Sequence, residues 1–284
     1  MSSIKNMFTS RFEGGTVIQF DYSQLEVIGL AWLSGDEQLK SDIRAGLDMH
    51  CMSASFAYDH TYEEIYREHK AGNGRFTKMR RDAKPLGFLV QYGGAAGLMA
   101  HQTGLPKKTC QQFIDRYYAR YEGVKSWQDQ VAADVLKNRK MSHHMVNGMS
   151  AGRSMISSPT GRRYTFIEQA APEWMGKKLS FSPTQMKNFM VQGFATGDVV
   201  PMMLGRVNRY LKNYHPEVCL INTTHDSLML DVPPMGPLEY SQLVNGTKKL
   251  LESAPSVLND VFGIDFDMKL PVDMESGDTW GSLK

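Results

Sequence analysis

Cysteine is scarce in this sequence. Cys51, Cys110 and Cys219 are three among 284 residues, far apart and without CxxC spacing. That excludes a disulfide framework, argues against a structural zinc and suits a reducing compartment. No stretch reaches the roughly 18 consecutive apolar residues that a membrane helix needs. The opening Met1-Ser2-Ser3-Ile4-Lys5-Asn6 lacks the apolar core of a secretory signal. An excess of one charge is also missing. With 32 Lys and Arg against 30 Asp and Glu, the net charge is +2, so only the clustering of cations can point to an anionic partner. Repeats and low-complexity tracts are absent.

What is present is the composition of a water-exposed globular protein, 42% hydrophobic and 22% charged, long enough for one large domain or two subdomains. The 19 methionines fill irregular cores and carry no functional implication. The chain is organised around Gly14 to Glu26. Two glycines release a turn, and Thr16-Val17-Ile18-Gln19-Phe20 is the β-branched, apolar run of a buried strand. Asp21 stands at its exit, where a carboxylate is held rigidly, as a hard cation requires. An ordinary turn aspartate would leave the same trace.

Helices are expected over Leu25–Leu33, over Asp36–Tyr58 with a break near Gly46, and over Thr61–Lys70, where Thr-Tyr-Glu-Glu resembles a capping box. Thr77–Gly93, Lys107–Lys137 (one or two helices), Ser182–Tyr214 (interrupted at Gly197 or Pro201) and Leu238–Leu251 follow. The polar Asn138–Thr160 reads as a loop or weakly ordered insertion, and Gly161–Phe166 as a hairpin. Val218–Asn222 and Ser227–Val232 read as an antiparallel pair, and Asp265–Val272 as a last strand. Strands therefore lie at both ends of the chain, around a long helical insert.

Two further motifs carry chemistry. Asp226, in Thr223-Thr224-His225-Asp226-Ser227, is again an acid at the tip of apolar strands. Two carboxylates on adjacent strands can hold two divalent cations about 3.5–4 Å apart for in-line phosphoryl displacement. Arg80, Lys84, Phe88 and Tyr92 recur at every fourth position and share one helix face. Cations followed by aromatics suit a nucleotide, with its phosphates on the cations and its sugar and base on the rings. Taken singly, the same pattern describes an amphipathic helix with solvated cations and core aromatics.

Together the three motifs resemble those of the family A (polymerase-I-like) DNA polymerases. Asp21-Tyr22-Ser23-Gln24-Leu25-Glu26 is similar to that family's Asp-Tyr-Ser-Gln-Ile-Glu. Arg80…Lys84…Phe88…Tyr92-Gly93 is similar to Arg-x3-Lys-x3-Phe-x3-Tyr-Gly, and His225-Asp226-Ser227 to His-Asp-Glu. Gly46 to His50, Gly161-Arg162-Arg163, Asn188-x3-Gln192-Gly193 and Val272 to Trp280 add to the likeness, which runs from about Ile4 to the C-terminus.

The resemblance implies an α+β right hand. A palm with an antiparallel sheet would be built from residues 1–33 and 176–284. A helical fingers subdomain would span 34–175, with the polar 138–160 stretch as an excursion and no thumb. It implies template-directed DNA synthesis on primer-template DNA with deoxynucleoside triphosphates and two Mg2+ ions, for which Mn2+ can substitute. Asp21 and Asp226 would hold the metals, with the Tyr22 carbonyl as a further ligand. Arg80, Lys84 and His50 would meet the triphosphate, and Lys84 would protonate the leaving pyrophosphate. Phe88 and Tyr92 would lie against sugar and base. Glu26 would close the space beneath C2′, and Asn188, Gln192 and His225 would touch the minor groove. The location implied is the cytoplasm of a bacterium or of a phage-infected host, with no membrane partner.

Four departures qualify this. Ser227 replaces the usual Glu, so a metal-bound water replaces a charge. Pro85 and Gly87 fall inside the motif B helix, and Leu89 replaces Gly; a bend or a late helix start near Arg81 is expected. Ile28 replaces an Arg. The first palm strand also comes within two dozen residues of Met1, so thumb and exonuclease would be supplied by a second polypeptide of a split polymerase, or lie outside this fragment. Two other functions remain open: an impaired DNA-binding or accessory subunit, and a relative of single-subunit RNA polymerases, against which Glu26 and Phe88 speak.

Overall fold

A computed structural model describes residues 3–171 and 178–283. In chain order, the elements are β1 (Thr16–Tyr22), α1 (Leu25–Ser34), α2 (Glu37–Arg44), α3 (Met49–Ala57), α4 (Tyr62–Lys70), α5 (Gly74–Gln91), α6 (Ala96–Thr103), α7 (Lys107–Arg120) and α8 (Glu122–Lys137). Next come β2 (Lys140–Val146), β3 (Met149–Ser157), β4 (Arg163–Ile167), β5 (Gln169–Ala170), β6 (Leu179–Ser180) and α9 (Pro183–Gln192). A π-helical turn over Gly193–Val199 leads into α10 (Val200–Tyr214), then β7 (Cys219–Thr224), β8 (Ser227–Val232), α11 (Pro237–Glu252), α12 (Ala254–Phe262) and β9 (Val272–Gly277). This is the expected mixture of helices and antiparallel sheet. Among the described residues, no helix is long and apolar enough to cross a membrane.

The chain divides into two compact units, Met1–Glu26 with Gln192–Lys284, and Val27–Val191. In the first, a four-stranded antiparallel sheet has the order β7-β8-β1-β9. The central strands are the most apolar. Every residue of β8 is buried, and β1 buries Val17, Ile18, Phe20 and Tyr22. Gly15 opens β1 where a Cβ would collide with Ser10 Oγ and approach the Val232 carbonyl within 2.7 Å, so only glycine lets the chain enter the sheet here.

The expected last strand is displaced. Residues 264–270 alternate buried and exposed, with Ile264, Phe266, Met268 and Leu270 inside, yet they form no ladder. Pairing with β1 begins only after Pro271, at Val272 opposite Tyr22. A period of two reports one-sided burial, and hydrogen bonding to a neighbour is a separate condition.

The second unit has two cores. α1 to α7 enclose an aromatic cluster in which Phe56 meets the rings of Phe113, Tyr117 and Tyr121 at 6.0–6.1 Å. A smaller cluster of Val135, Phe166, Phe181 and Met186 lies beneath a three-stranded sheet, β2-β3-β4. That sheet corrects the reading of Asn138–Thr160 as a loop. Val146 and Met149 pair across Asn147 and Gly148, both at positive φ (50° and 77°), the two-residue connection that Asn-Gly favours.

The expected late start of the motif B helix is corrected as well. α5 begins at Gly74, capped by Asn73, and passes through Pro85 without interruption. Gly87 lies against α3, where a Cβ would come within 2.9 Å of Ser53 Oγ. The breaks at Gly46, between α2 and α3, and around Gly197 occur as expected. The boundary read at residues 175 and 176 lies outside the described residues.

Candidate active site

Within the first unit, β1 carries Asp21 to its end and the β7–β8 turn presents Asp226. The turn is two residues long, His225 and Asp226, between the paired Thr224 and Ser227. His225 is at φ 54°, a left-handed conformation that a non-glycine residue holds at a cost. Asp21 pairs with Ser227 on one side and with Asp273 of β9 on the other. The Tyr22 amide donates to the Asp226 carbonyl oxygen at 3.2 Å, which ties the two acid-bearing backbones together. Buried Tyr22 is anchored in turn by its hydroxyl, which donates to the Leu251 carbonyl of α11 at 2.8 Å.

This environment is short of donors. Asp21 Oδ1 and Glu275 Oε2 are buried without a hydrogen-bond partner. The Asp21 carboxyl is pushed up to about 6, first by burial, then by the charge of Asp226 and a hydrogen bond to it, then by Asp273 and Glu275. A carboxylate whose acidic neighbours raise its affinity for protons is relieved by any cation that enters. A divalent ion therefore fits the donor set: oxygen ligands, excess negative charge and two orphaned buried oxygens.

Asp273 and Glu275 were missed as contributors, although two acids at alternate positions of a strand share a face. Ser227, expected to bring a water to a metal, instead donates its hydroxyl to the Thr224 carbonyl at 3.0 Å and closes the turn. His225 is exposed, Glu26 is half-buried at the start of α1, and Gln192 ends α9.

In the second unit, Arg80, Lys84, Phe88 and Tyr92 follow one side of α5 and its C-cap, half-buried or exposed, while Phe76, Ala83, Leu86 and Val90 occupy the core side. Arg80 Nε donates to Asp48 Oδ2 at 2.9 Å. The other oxygen of Asp48 caps α3 by accepting from the His50 and Cys51 amides at 3.0 Å. One carboxylate thus fixes both a cation on α5 and the first turn of α3, which carries His50. Asp48 is another residue that the motif reading passed over; an aspartate just ahead of a helix is a cap signal.

The His50 ring lies 6.2 Å from that of Phe88. Its imidazole is held below the usual range by burial and by the charges of Lys84 and Arg80, so it is neutral at pH 7. Asn188 sits on α9 with its Oδ1 buried and unpartnered. One residue earlier, Lys187 packs over Gly93, which is at φ 68° and has no room for a Cβ. The structure therefore gathers Asp21 with Asp226 in one unit, and His50, Arg80, Lys84 and Phe88 in the other.

The first unit thus carries an acidic strand-end pair on a four-stranded antiparallel sheet, and the second carries a cation-aromatic helix face. The chain belongs to DNA polymerase family A, whose family model matches residues 1–282. It is 25% identical over 270 residues to DNA polymerase I of Treponema pallidum, covering 95% of this chain and 23% of that protein. It is 27% identical over 286 residues to the DNA polymerase of Bacillus phage SP01, covering 98% of this chain and 27% of that protein. The chain thus spans about a quarter of the length of these relatives. Its fold is similar to part of the POL domain of Pol1 from M. smegmatis, solved in complex with DNA primer-template and dNTP, with a TM-score of 0.71 at 20% identity, covering 99% of this chain and 42% of that one.

Proposed function

We propose that this chain carries out template-directed DNA synthesis, joining deoxynucleoside triphosphates to a primer 3′-hydroxyl. The observation that supports this most is the meeting of Asp21 and Asp226 in one donor-poor acidic pocket. In this reading residues 1–33 and 176–284 are the palm and residues 34–175 the fingers. Asp21, Asp226 and the Tyr22 carbonyl would hold two Mg2+ ions, with Mn2+ able to substitute. Bound there, the ions supply Lewis-acid activation of the hydroxyl and neutralise charge on the phosphate oxygens.

The chain's own residues do the rest. Arg80, steadied through Nε by Asp48, and Lys84 donate to the triphosphate. Lys84 gives a proton to the leaving pyrophosphate. Neutral His50 is a hydrogen-bond donor without further charge. Phe88 and Tyr92 lie against sugar and base, and Glu26 excludes a 2′-hydroxyl. Asn188, Gln192 and His225 contact the minor groove of primer-template DNA.

Primer extension tests the reading. Asp21→Asn should lower incorporation at least about a hundredfold, the scale of losing a main electrostatic contributor to a transition state; undiminished extension by that variant overturns it and favours an accessory role. Glu26→Ala should raise ribonucleotide use, and an unchanged sugar preference removes Glu26 from its role.

A further inference from the structure

The end of α10 and the start of α11 bring together a histidine and two glutamates on either side of the β7–β8 hairpin in sequence. His215 follows α10 directly, Glu217 lies in the turn to β7, and Glu239 is in the first turn of α11. One ligand atom from each lies within 4.8 Å of the other two. Among the described residues, this is the one group of three such side chains with that closeness.

The histidine is the informative member. Its side chain is 7% exposed, and its Nδ1 is buried with no hydrogen-bond partner. The ring's other nitrogen is engaged. The Tyr210 hydroxyl stands 3.3 Å from His215 Nε2 and 3.3 Å from the Gln242 carbonyl oxygen. A carbonyl only accepts, so the hydroxyl donates to Gln242 and accepts from Nε2–H. In the neutral ring this leaves a lone pair on Nδ1. Tyr210 reaches this position because α11 carries Gly246 beneath its ring, where any Cβ would collide with the hydroxyl.

The lone pair faces carboxylates that cannot donate to it. Glu217 Oε1 lies 4.0 Å from Nδ1, too far for a hydrogen bond. An ion at ordinary zinc–nitrogen and zinc–oxygen distances, about 2.0–2.2 Å, separates its ligands by roughly 3.4 Å in a tetrahedron and about 4.2 Å when they are opposed. The observed gap falls between these. Glu217 is 41% exposed at its side chain and Glu239 is exposed, so both carboxylates can adjust while the histidine stays fixed. A ligating histidine whose second nitrogen donates to a neighbouring oxygen is the usual support of such sites.

We propose that His215, Glu217 and Glu239 form a binding site for a divalent transition cation of the zinc class, with Tyr210 orienting the histidine. The site has three protein ligands and room for water, and it ties the end of α10 to the start of α11. It rests on this geometry alone and stands or falls independently of the polymerase reading.

The test uses the full chain carrying Asp21→Asn and Asp226→Asn, so that those acids contribute no cation binding. After chelator treatment it is titrated with Zn2+ by calorimetry and with Co2+ by visible absorption. One equivalent of each is expected to bind, Co2+ with the intense bands of low coordination number, and Zn2+ should raise the melting temperature. His215→Gln should abolish binding. Tyr210→Phe should weaken it roughly 10- to 100-fold, the usual effect of removing a histidine's supporting partner. Glu217→Gln with Glu239→Gln alters only exposed side chains, so it decides the matter even if His215→Gln fails to fold; at least tenfold weaker binding is expected. No saturable binding in the background chain, or unchanged affinity in the double-glutamine variant, overturns the proposal.

Discussion

Asp21 and Asp42 are the same residue in opposite circumstances. Asp42, on α2, is 3% exposed and receives four hydrogen bonds. Arg120 of α7 supplies two, at 2.8 and 2.7 Å, and the Tyr121 hydroxyl and Gln38 amide add one each at 2.8 Å. Burial pushes its carboxyl up, but the hydrogen bonds from Arg120, Tyr121 and Gln38, with the guanidinium charge, more than offset this and hold it below the usual range. Asp21 is also driven up by burial, and its neighbours Asp226, Asp273 and Glu275 push the same way. Burial has one sign at both places; the partners decide the outcome. A carboxylate with every lone pair engaged joins two helices. A carboxylate surrounded by its own kind is a liability to the fold, kept where a ligand can relieve it.

The comparison can be broken most forcefully at Arg120. Arg120→Ala strands a buried carboxylate and should destabilise the helical unit by about 3–5 kcal/mol, read by urea denaturation. A loss below about 1 kcal/mol would mean that Asp42 is solvated after all. Next come the neutral isosteres. Asp42→Asn keeps the shape but removes the charge that Arg120 meets, and should cost about 1–3 kcal/mol. Asp21→Asn should do the reverse and stabilise the sheet-bearing unit at pH 7 by about 1–2 kcal/mol, since it deletes like-charge repulsion at a partly exposed site. Two substitutions with the same sign would dissolve the contrast. Added Mg2+ should raise the melting temperature of the wild-type chain and leave that of Asp21→Asn nearly unmoved.

These two aspartates also show what can be read from a sequence. Asp21 was visible because it ends an apolar strand and Asp226 ends another, so a local pattern places both at strand tips and the fold joins the tips. Asp42 was not visible, because its partner lies 78 positions away on a different helix and nothing local on α2 or α7 announces the pair. The polar hairpin over β2 and β3 was legible in principle, since Asn147-Gly148 is a turn signal, but exposed strands lack the apolar alternation on which the reading relied. Residues 264–270 erred the other way, with alternation present and pairing absent. Pro85 and Gly87 suggested a bend or a late start near Arg81, yet α5 starts at Gly74, capped by Asn73, and runs on through Pro85.

The smallest effect is also the most diagnostic, because it gives the two acids opposite slopes with pH. Asp21 titrates near 6 when folded, against an ordinary value of 3.8. Between about pH 4 and 6 the folded chain keeps a proton that the unfolded chain has released. Its contribution to stability is therefore fully present below about 4 and is lost as pH rises through 6. Asp42, held below 3.8, contributes stability that is present above that value and lost as pH falls through its folded pKa. Stability should thus decline on both flanks, steeply in acid because of Asp42 and by about 1–2 kcal/mol between pH 4 and 6 because of Asp21. Asp21→Asn should flatten the second decline alone. Mg2+ should shrink it too, because an ion offsets the repulsion that deprotonation creates. If the pH 4–6 slope survives Asp21→Asn unchanged, Asp21 is not the group whose charge the fold resists, and the contrast with Asp42 fails.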